Sequence, residues 1–375
     1  MAGLYIHIPF CRQACHYCNF HFSTSLQHKD KLVSALLKEI ELQSGYVDNA
    51  KLETIYFGGG TPSILSATEL NAILQAVNRN FEVSQDAEIT IEANPEDFSK
   101  EQLEFWKAAG INRLSIGIQG FQDDMLKAWN RSHDSEQGEK AIQLALETGF
   151  NNLSVDLIYG DPLLSDEEWR NNIQRIVTSG VPHISCYALT VETGTALHHQ
   201  ITKGKTKPID EEQSHRQFTI LQEVLNDYGY EQYEISNFAL PGMHSRHNTS
   251  YWQGIHYLGI GPAAHSFNGT TRQWNIANNQ RYIQSIESEI IPAETEDITS
   301  EKRYNEWIMT GLRTSRGVDP AELQKLNEAY PALFEKSVAT YLSKGQILRT
   351  AEGNYILAPD QYFFADGIAA DLFII

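Results

Sequence analysis

The sequence predicts an α/β fold built on a mostly parallel sheet, followed by an attached region and a smaller α+β unit. Three observations predict it. Strand-like and helix-like segments alternate through six units before about residue 190, the rhythm then breaks, and from about residue 300 helices are followed by two short β-like runs. Residues 4–8 form a short apolar run that reads as a strand, and residues 29–43 carry Leu32, Leu36 and Ile40 at helical spacing. Residues 53–57 are a second strand running into Gly58-Gly59-Gly60. Residues 66–80 are a helix opened by Ser66 as cap, with Glu69 three positions on. Residues 88–92, 113–117, 153–158 and 184–189 read as strands, and 99–109, 123–148 and 167–178 as mostly helical. Six such units favour short right-handed crossovers, in either an open doubly wound sheet or a barrel-like curl. Beyond residue 190 come a polar stretch at 203–207, a helix at 210–228 and a Gly/Asn/His-rich region at 237–275. Helices at 302–312, 320–327 and 331–344, then β-like runs at 347–349 and 355–357, suggest a small winged-helix-like domain. The expected units are therefore residues 1–190, 191–299 and 300–375.

The 375 residues include 29 Lys plus Arg against 48 Asp plus Glu, a formal net charge of −19, with 41% hydrophobic and 21% charged residues. That composition is globular and excludes a disordered or collagen-like chain. Its acidity argues against nucleic acid and anionic lipid as partners, since both need a basic face. The start lacks a basic segment followed by a long apolar one, and the apolar residues 372–375 are too few to span a bilayer, so a cytoplasmic location is expected.

Three of the four cysteines, Cys11, Cys15 and Cys18, fall in one loop after the first strand. Thiolates suit zinc or iron–sulfur clusters, and three this close can grip three corners of one cubane, leaving one iron without a protein ligand. Zinc would want a fourth ligand, which His16 or His21 could supply. Cys186, on the sixth strand, reads as a core thiol. The run Tyr56-Phe57-Gly58-Gly59-Gly60-Thr61-Pro62 places glycines where backbone can approach a ligand without a Cβ in the way. A polar group recurs at or near the end of each later strand: Glu92, Gln119, Asp156 and Tyr187. In barrel-like folds that rim is where active sites assemble, and Arg131 could add a positive charge to it. Arg246-His247-Asn248-Thr249-Ser250-Tyr251-Trp252 offers a histidine beside aromatics, either an iron ligand for a stacked porphyrin or a structural residue.

Cys-x3-Cys-x2-Cys after one strand and Gly-Gly-Gly-Thr-Pro after the next resemble the radical S-adenosylmethionine (SAM) superfamily. The resemblance implies a partial (β/α)6 TIM-type barrel of the radical SAM type. It also implies a [4Fe–4S] cluster on Cys11, Cys15 and Cys18, with SAM chelated by the fourth iron and cleaved reductively to a 5′-deoxyadenosyl radical. Tyr5-Ile6-His7-Ile8-Pro9-Phe10-Cys11, Ile91-Glu92-Ala93-Asn94-Pro95, Arg113-Leu114-Ser115-Ile116-Gly117-Ile118-Gln119 and Val155-Asp156-Leu157-Ile158-Tyr159-Gly160 are similar to the coproporphyrinogen dehydrogenase-like group, a resemblance covering nearly the whole chain. It implies SAM contacts at Tyr5, Gly59, Gly60, Thr61, Glu92, Gln119, Arg131, Asp156 and Ala188, with Tyr17 beside the cluster.

That group contains heme chaperones and oxygen-independent coproporphyrinogen III dehydrogenases. The dehydrogenases carry a further cysteine two residues past the third, where this chain reads Cys18-Asn19-Phe20, and an N-terminal extension not seen here. Both departures, with the signature His247-Asn248-x-x-Tyr251-Trp252, resemble the chaperones. The implied function is binding of heme, with a contact at His247, and its transfer to an unidentified acceptor protein. The alternative is oxidative decarboxylation of coproporphyrinogen III.

Overall fold

The structure, a computed structural model, describes residues 1–48 and 50–374. Its first half alternates β1 (Ala2–Ile8), α1 (Lys29–Leu42), β2 (Leu52–Gly59), α2 (Ala67–Asn80), β3 (Val83–Ala93), α3 (Lys100–Ala108), β4 (Arg113–Gln119), α4 (Asp123–Ala128), α5 (Ser135–Glu147), β5 (Leu153–Tyr159), α6 (Asp166–Ser179) and β6 (His183–Ala188). Strands β1 to β6 pair in sequence order, all parallel. Helix α2 starts where the sequence predicts: the Ser66 side chain accepts from the Glu69 N–H and the Glu69 carboxylate takes the Ser66 N–H. The helical stretch expected over 123–148 is two helices instead. Asp134 caps the second with a reciprocal box to Gln137, and the turn that this forces carries Arg131.

Alternation along the strands separates two faces. On β1, Leu4, Ile6 and Ile8 are fully buried in the same core as Leu32, Leu36 and Ile40 of α1. The intervening Tyr5 and His7 point the other way, as do Thr54 and Tyr56 on β2, Glu88 and Glu92 on β3, Ser115 on β4, Asp156 on β5 and His183 on β6. These residues meet one another: Tyr56 donates to Glu92 at 2.8 Å, Ser115 to Asp156 at 3.3 Å, and Ser154 lies 2.7 Å from His183. One face of the sheet is thus a conventional core and the other a polar, hydrogen-bonded wall.

After α7 (Ala196–Thr202) and α8 (Glu211–Asp227), the chain adds β7 (Glu231–Gln232), β8 (Asn237–Ala239), α9 (Arg246–Trp252), β9 (Tyr257–Ile260), β10 (His265–Phe267), β11 (Thr271–Asn275), α10 (Asn279–Glu287) and β12 (Ala293–Asp297). The sequence assigns no strands here, yet these complete a 12-stranded sheet. Strands β8 and β7 extend it antiparallel beyond β6. On the opposite side β9 pairs parallel with β1, and β10 to β12 follow antiparallel. At two to five residues each, they are too short to show a period.

Glu39 of α1 ties this region to the barrel. Fully buried, it accepts from the Gly261 N–H at 2.8 Å, Asn275 Nδ2 at 2.7 Å, Gln43 Nε2 at 2.8 Å and the Tyr282 hydroxyl at 2.5 Å. Burial pushes its pKa up while those four donors oppose the shift. A buried donor left unpaired costs about 1–3 kcal/mol, so Glu39→Ala is expected to destabilise the fold by at least about 3 kcal/mol in urea titrations. A loss below about 1 kcal/mol would contradict this assignment.

The C-terminal part comprises α11 (Ser300–Leu312), α12 (Pro320–Leu326), α13 (Tyr330–Ser343), the hairpin β13 (Ile347–Arg349) and β14 (Tyr355–Leu357), and α14 (Ala365–Asp371). Val318 bridges to Tyr355 as a third strand position, giving the helices-then-wing arrangement. It packs around Tyr304, Ile308, Phe334 and Tyr355, a cluster separate from the barrel core. Among the described residues no helix is long and apolar enough to cross a membrane.

Candidate functional site

The cysteine loop leaves β1 at Pro9 and is closed at its base by the Cys11 N–H donating to Ser23 O and the Ser23 N–H to Pro9 O. Its far side docks on the turn between α4 and α5: the His16 N–H donates to Trp129 O at 2.9 Å and Asn130 Nδ2 to Ala14 O at 2.8 Å. That turn delivers Arg131, whose Nη1 donates to Cys15 Sγ at 3.3 Å. Tyr17 meets Trp129 edge-on at 5.4 Å. Partial burial raises the Cys11 thiol to about 11 and lifts Cys18 as well. Among the described residues no three His, Cys, Asp or Glu groups converge on a single-ion site. A cubane makes no such demand, because each cysteine binds a different iron. The three partly exposed thiols on one short loop, with a guanidinium beside them, fit that group.

The glycine run of β2 lies directly against this loop. The Gly60 N–H donates to Ile8 O at 2.9 Å, and a Cβ on Gly60 would stand 2.6 Å from Phe10 O. Gly59 has φ +110°, and its N–H donates to Glu92 Oε2 at 3.2 Å. Thr61 Oγ1 accepts from Asn94 Nδ2, while Asn94 Oδ1 accepts from Arg131 Nη2 at 2.9 Å. A chain of contacts thereby runs from the glycine turn through Asn94 and Arg131 to Cys15. Arg131 Nη2 also donates to Gly117 O at 2.7 Å, beside Gln119, which holds φ +67° at the end of β4.

Glu92 and Asp156 stand on this wall with raised pKa values. Desolvation lifts Glu92 to about 7, helped by the Asp156 charge and opposed by the Tyr56 hydroxyl. Desolvation lifts Asp156 to about 6, against hydrogen bonds from Ser185 and Ser115. Such a mouth suits a ligand that brings its own positive charge. Tyr5 stacks on Tyr56 at 6.1 Å and Ala188 closes β6 at the rim. The structure therefore gathers Tyr5, Gly59, Gly60, Thr61, Glu92, Gln119, Arg131 and Asp156 around the mouth, with the cysteines and Tyr17 on the adjoining loop. Sequence reasoning missed Asn94 and Tyr56. Asn94 lay inside a motif already singled out, and Tyr56 stood at an alternate, inward position of β2. Cys186 is a buried core thiol, as expected.

The structure places His247 inside the protein. It is 2% exposed at the level of Gly3 and Thr54, deep on the N-terminal half of β1 and β2, with Nδ1 2.7 Å from Thr54 Oγ1 and Nε2 2.8 Å from the Tyr251 hydroxyl. Both ring nitrogens are engaged, and burial lowers its pKa to about 3. The ring stacks on Tyr56 at 4.9 Å. In this geometry His247 holds Tyr251 in place, and Tyr251 is the group that lines a cavity of about 860 Å³ between the cysteine loop, β10–β11 and α11.

The profile of the Radical SAM superfamily matches residues 5–176. The heme chaperone HemW of Bacillus subtilis is 35% identical over 360 residues, covering 95% of this chain and 95% of that protein. HemW of Synechocystis is 35% identical over 95% of this chain and 89% of that one, and HemW of Escherichia coli 36% over 70% and 69%. The solved structure of coproporphyrinogen III oxidase (HemN) from Escherichia coli, a radical SAM enzyme, matches with a TM-score of 0.84 over 99% of this chain and 90% of that one. At 24% identity, that likeness shows the fold. With an α/β scaffold of the expected kind and a relative alike over 95% of both chains, the chain belongs to the radical SAM superfamily and, within it, to the family of the heme chaperone HemW.

Proposed function

We propose that the chain binds heme and passes it to an acceptor hemoprotein, on a scaffold that carries a [4Fe–4S] cluster and SAM. The observation that carries the reading is the relationship to heme chaperones across 95% of both chains. Cys11, Cys15 and Cys18 would hold the cluster, which when bound supplies the electron for reductive cleavage of SAM. Arg131 donates from Nη1 to Cys15 Sγ at 3.3 Å and so holds that sulfur in place at the mouth. Glu92, raised by burial, would offer its carboxylate to the N–H groups of the iron-bound amino group of SAM and an opposite charge to its sulfonium. Gly59 and Gly60 keep backbone at the wall with no side chain between it and the ligand.

Hemin titrated into the anaerobically reconstituted chain is expected to give a saturable one-to-one Soret change. The bound heme should then leave for an apo-hemoprotein added in a second step. A Soret change that never saturates, or heme that stays on the chain, would overturn the proposal.

A further inference from the structure

The cavity of about 860 Å³ falls within the roughly 300–1,000 Å³ of pockets that enclose whole organic ligands. One wall is the antiparallel ribbon β10–β11, where His265 pairs with Trp274 and Phe267 with Arg272. Directly opposed residues share a face, and so do residues two apart on one strand. His265, Phe267 and Arg272 therefore project together. Ser266 between them faces away, its Oγ accepting from the Gly259 N–H at 2.9 Å. The second wall is α11, whose Arg303 lies over the Phe267 ring at 4.9 Å. Phe20 of the cysteine loop, 69% exposed, offers a flat apolar surface on a third side.

Charge and ligand chemistry are divided across this space. Arg272 and Arg303 share the Glu306 carboxylate, at 2.8 and 3.5 Å, while Glu296, opposite Arg272 on β12, pairs with Lys302, so both guanidinium groups keep donors to spare. Of the histidines at the cavity, His7 spends Nε2 on His21 O and His21 spends Nε2 on Asn279. His265 is exposed, and its ring is set by stacking on Trp274 at 6.1 Å.

We propose that this cleft is the heme site, with His265 as an axial iron ligand and Arg272 and Arg303 as the partners of the heme propionates. The inference rests on the heme-binding reading above and deepens it by naming the side chains that meet the iron and the propionates.

The test titrates hemin into the full reconstituted chain and into His265→Ala and Arg303→Met. Loss of an iron ligand should cost at least what loss of a residue that merely orients one does, roughly 10–100-fold in affinity. His265→Ala should show that loss with an altered Soret position, and added imidazole should restore the parent spectrum. Arg303→Met should weaken hemin binding while leaving binding of the iron porphyrin dimethyl ester, which lacks free carboxylates, at the parent level. If the parent binds hemin and His265→Ala keeps its affinity and spectrum, the site is wrong and the heme reading stands. If the parent does not bind at all, the heme reading falls and this inference with it.

Discussion

Replacing Gly60 by alanine is expected to yield a folded chain that no longer assembles an iron–sulfur cluster. The added Cβ would sit 2.6 Å from Phe10 O, 2.8 Å from Phe10 N and 2.9 Å from Ile8 O. All three are backbone atoms, which cannot swing aside as a side chain would. The only relief is to push the end of β1 and the start of the cysteine loop away from β2, and Cys11 is the next residue along. Overpacking of this kind costs about 1–3 kcal/mol, too little to unfold a chain of this size but enough to displace a thiol that must meet its iron at a fixed distance. Iron and acid-labile sulfide should fall to near background after anaerobic reconstitution, with the far-ultraviolet dichroism of the parent retained. Gly45→Ala is the matched control, because nothing lies within 4 Å of its Cβ position. A Gly60→Ala protein with the parent's iron content would show that the loop does not depend on this contact.

Glu92→Gln should abolish SAM binding and at the same time make the apo chain more stable at alkaline pH. Burial lifts the folded carboxyl to about 7, above the 4.5 of an ordinary glutamate. Between those values the native state binds the extra proton, so this group's contribution to stability falls as pH rises and reaches its full penalty above about 7. A shift of this size corresponds to on the order of 3 kcal/mol, which the glutamine variant does not suffer. The variant also loses part of the acceptor set for Tyr56 and Gly59, but that cost does not vary with pH. The difference in melting temperature between variant and parent should therefore move in favour of the variant from pH 5 to pH 8, while calorimetry on the reconstituted protein detects no SAM binding. A difference that is flat with pH would refute the raised pKa; retained SAM affinity would remove Glu92 from the site.

Much of this protein was open to reading in one dimension. The six strand–helix units were visible because apolar spacing at two faces of a strand or one face of a helix is a local property, and the Ser66 and Glu69 pair marked its helix start by the same local logic. The cysteine loop was visible because its chemistry lies in spacing. The Asp134 cap that starts a second helix was equally local, yet it was hidden inside a stretch whose composition looked uniformly helical.

The sequence by itself determined the parallel half of the sheet, the cysteine loop, and the rim residues that a resemblance could carry over position by position. Only the tertiary structure decided where the remaining polar groups went. Asn94 became a link between Thr61 and Arg131 because two strand ends and a turn meet there. His247 became a buried support for Tyr251 because α9 packs against β2 and brings its ring to Thr54. His265, Arg272 and Arg303 came together because the antiparallel strands β10 and β11 and the helix that follows β12 close over one cavity. Periodicity and spacing report only on neighbours along the chain, whereas burial and the partner of each polar group are set by contacts between distant segments.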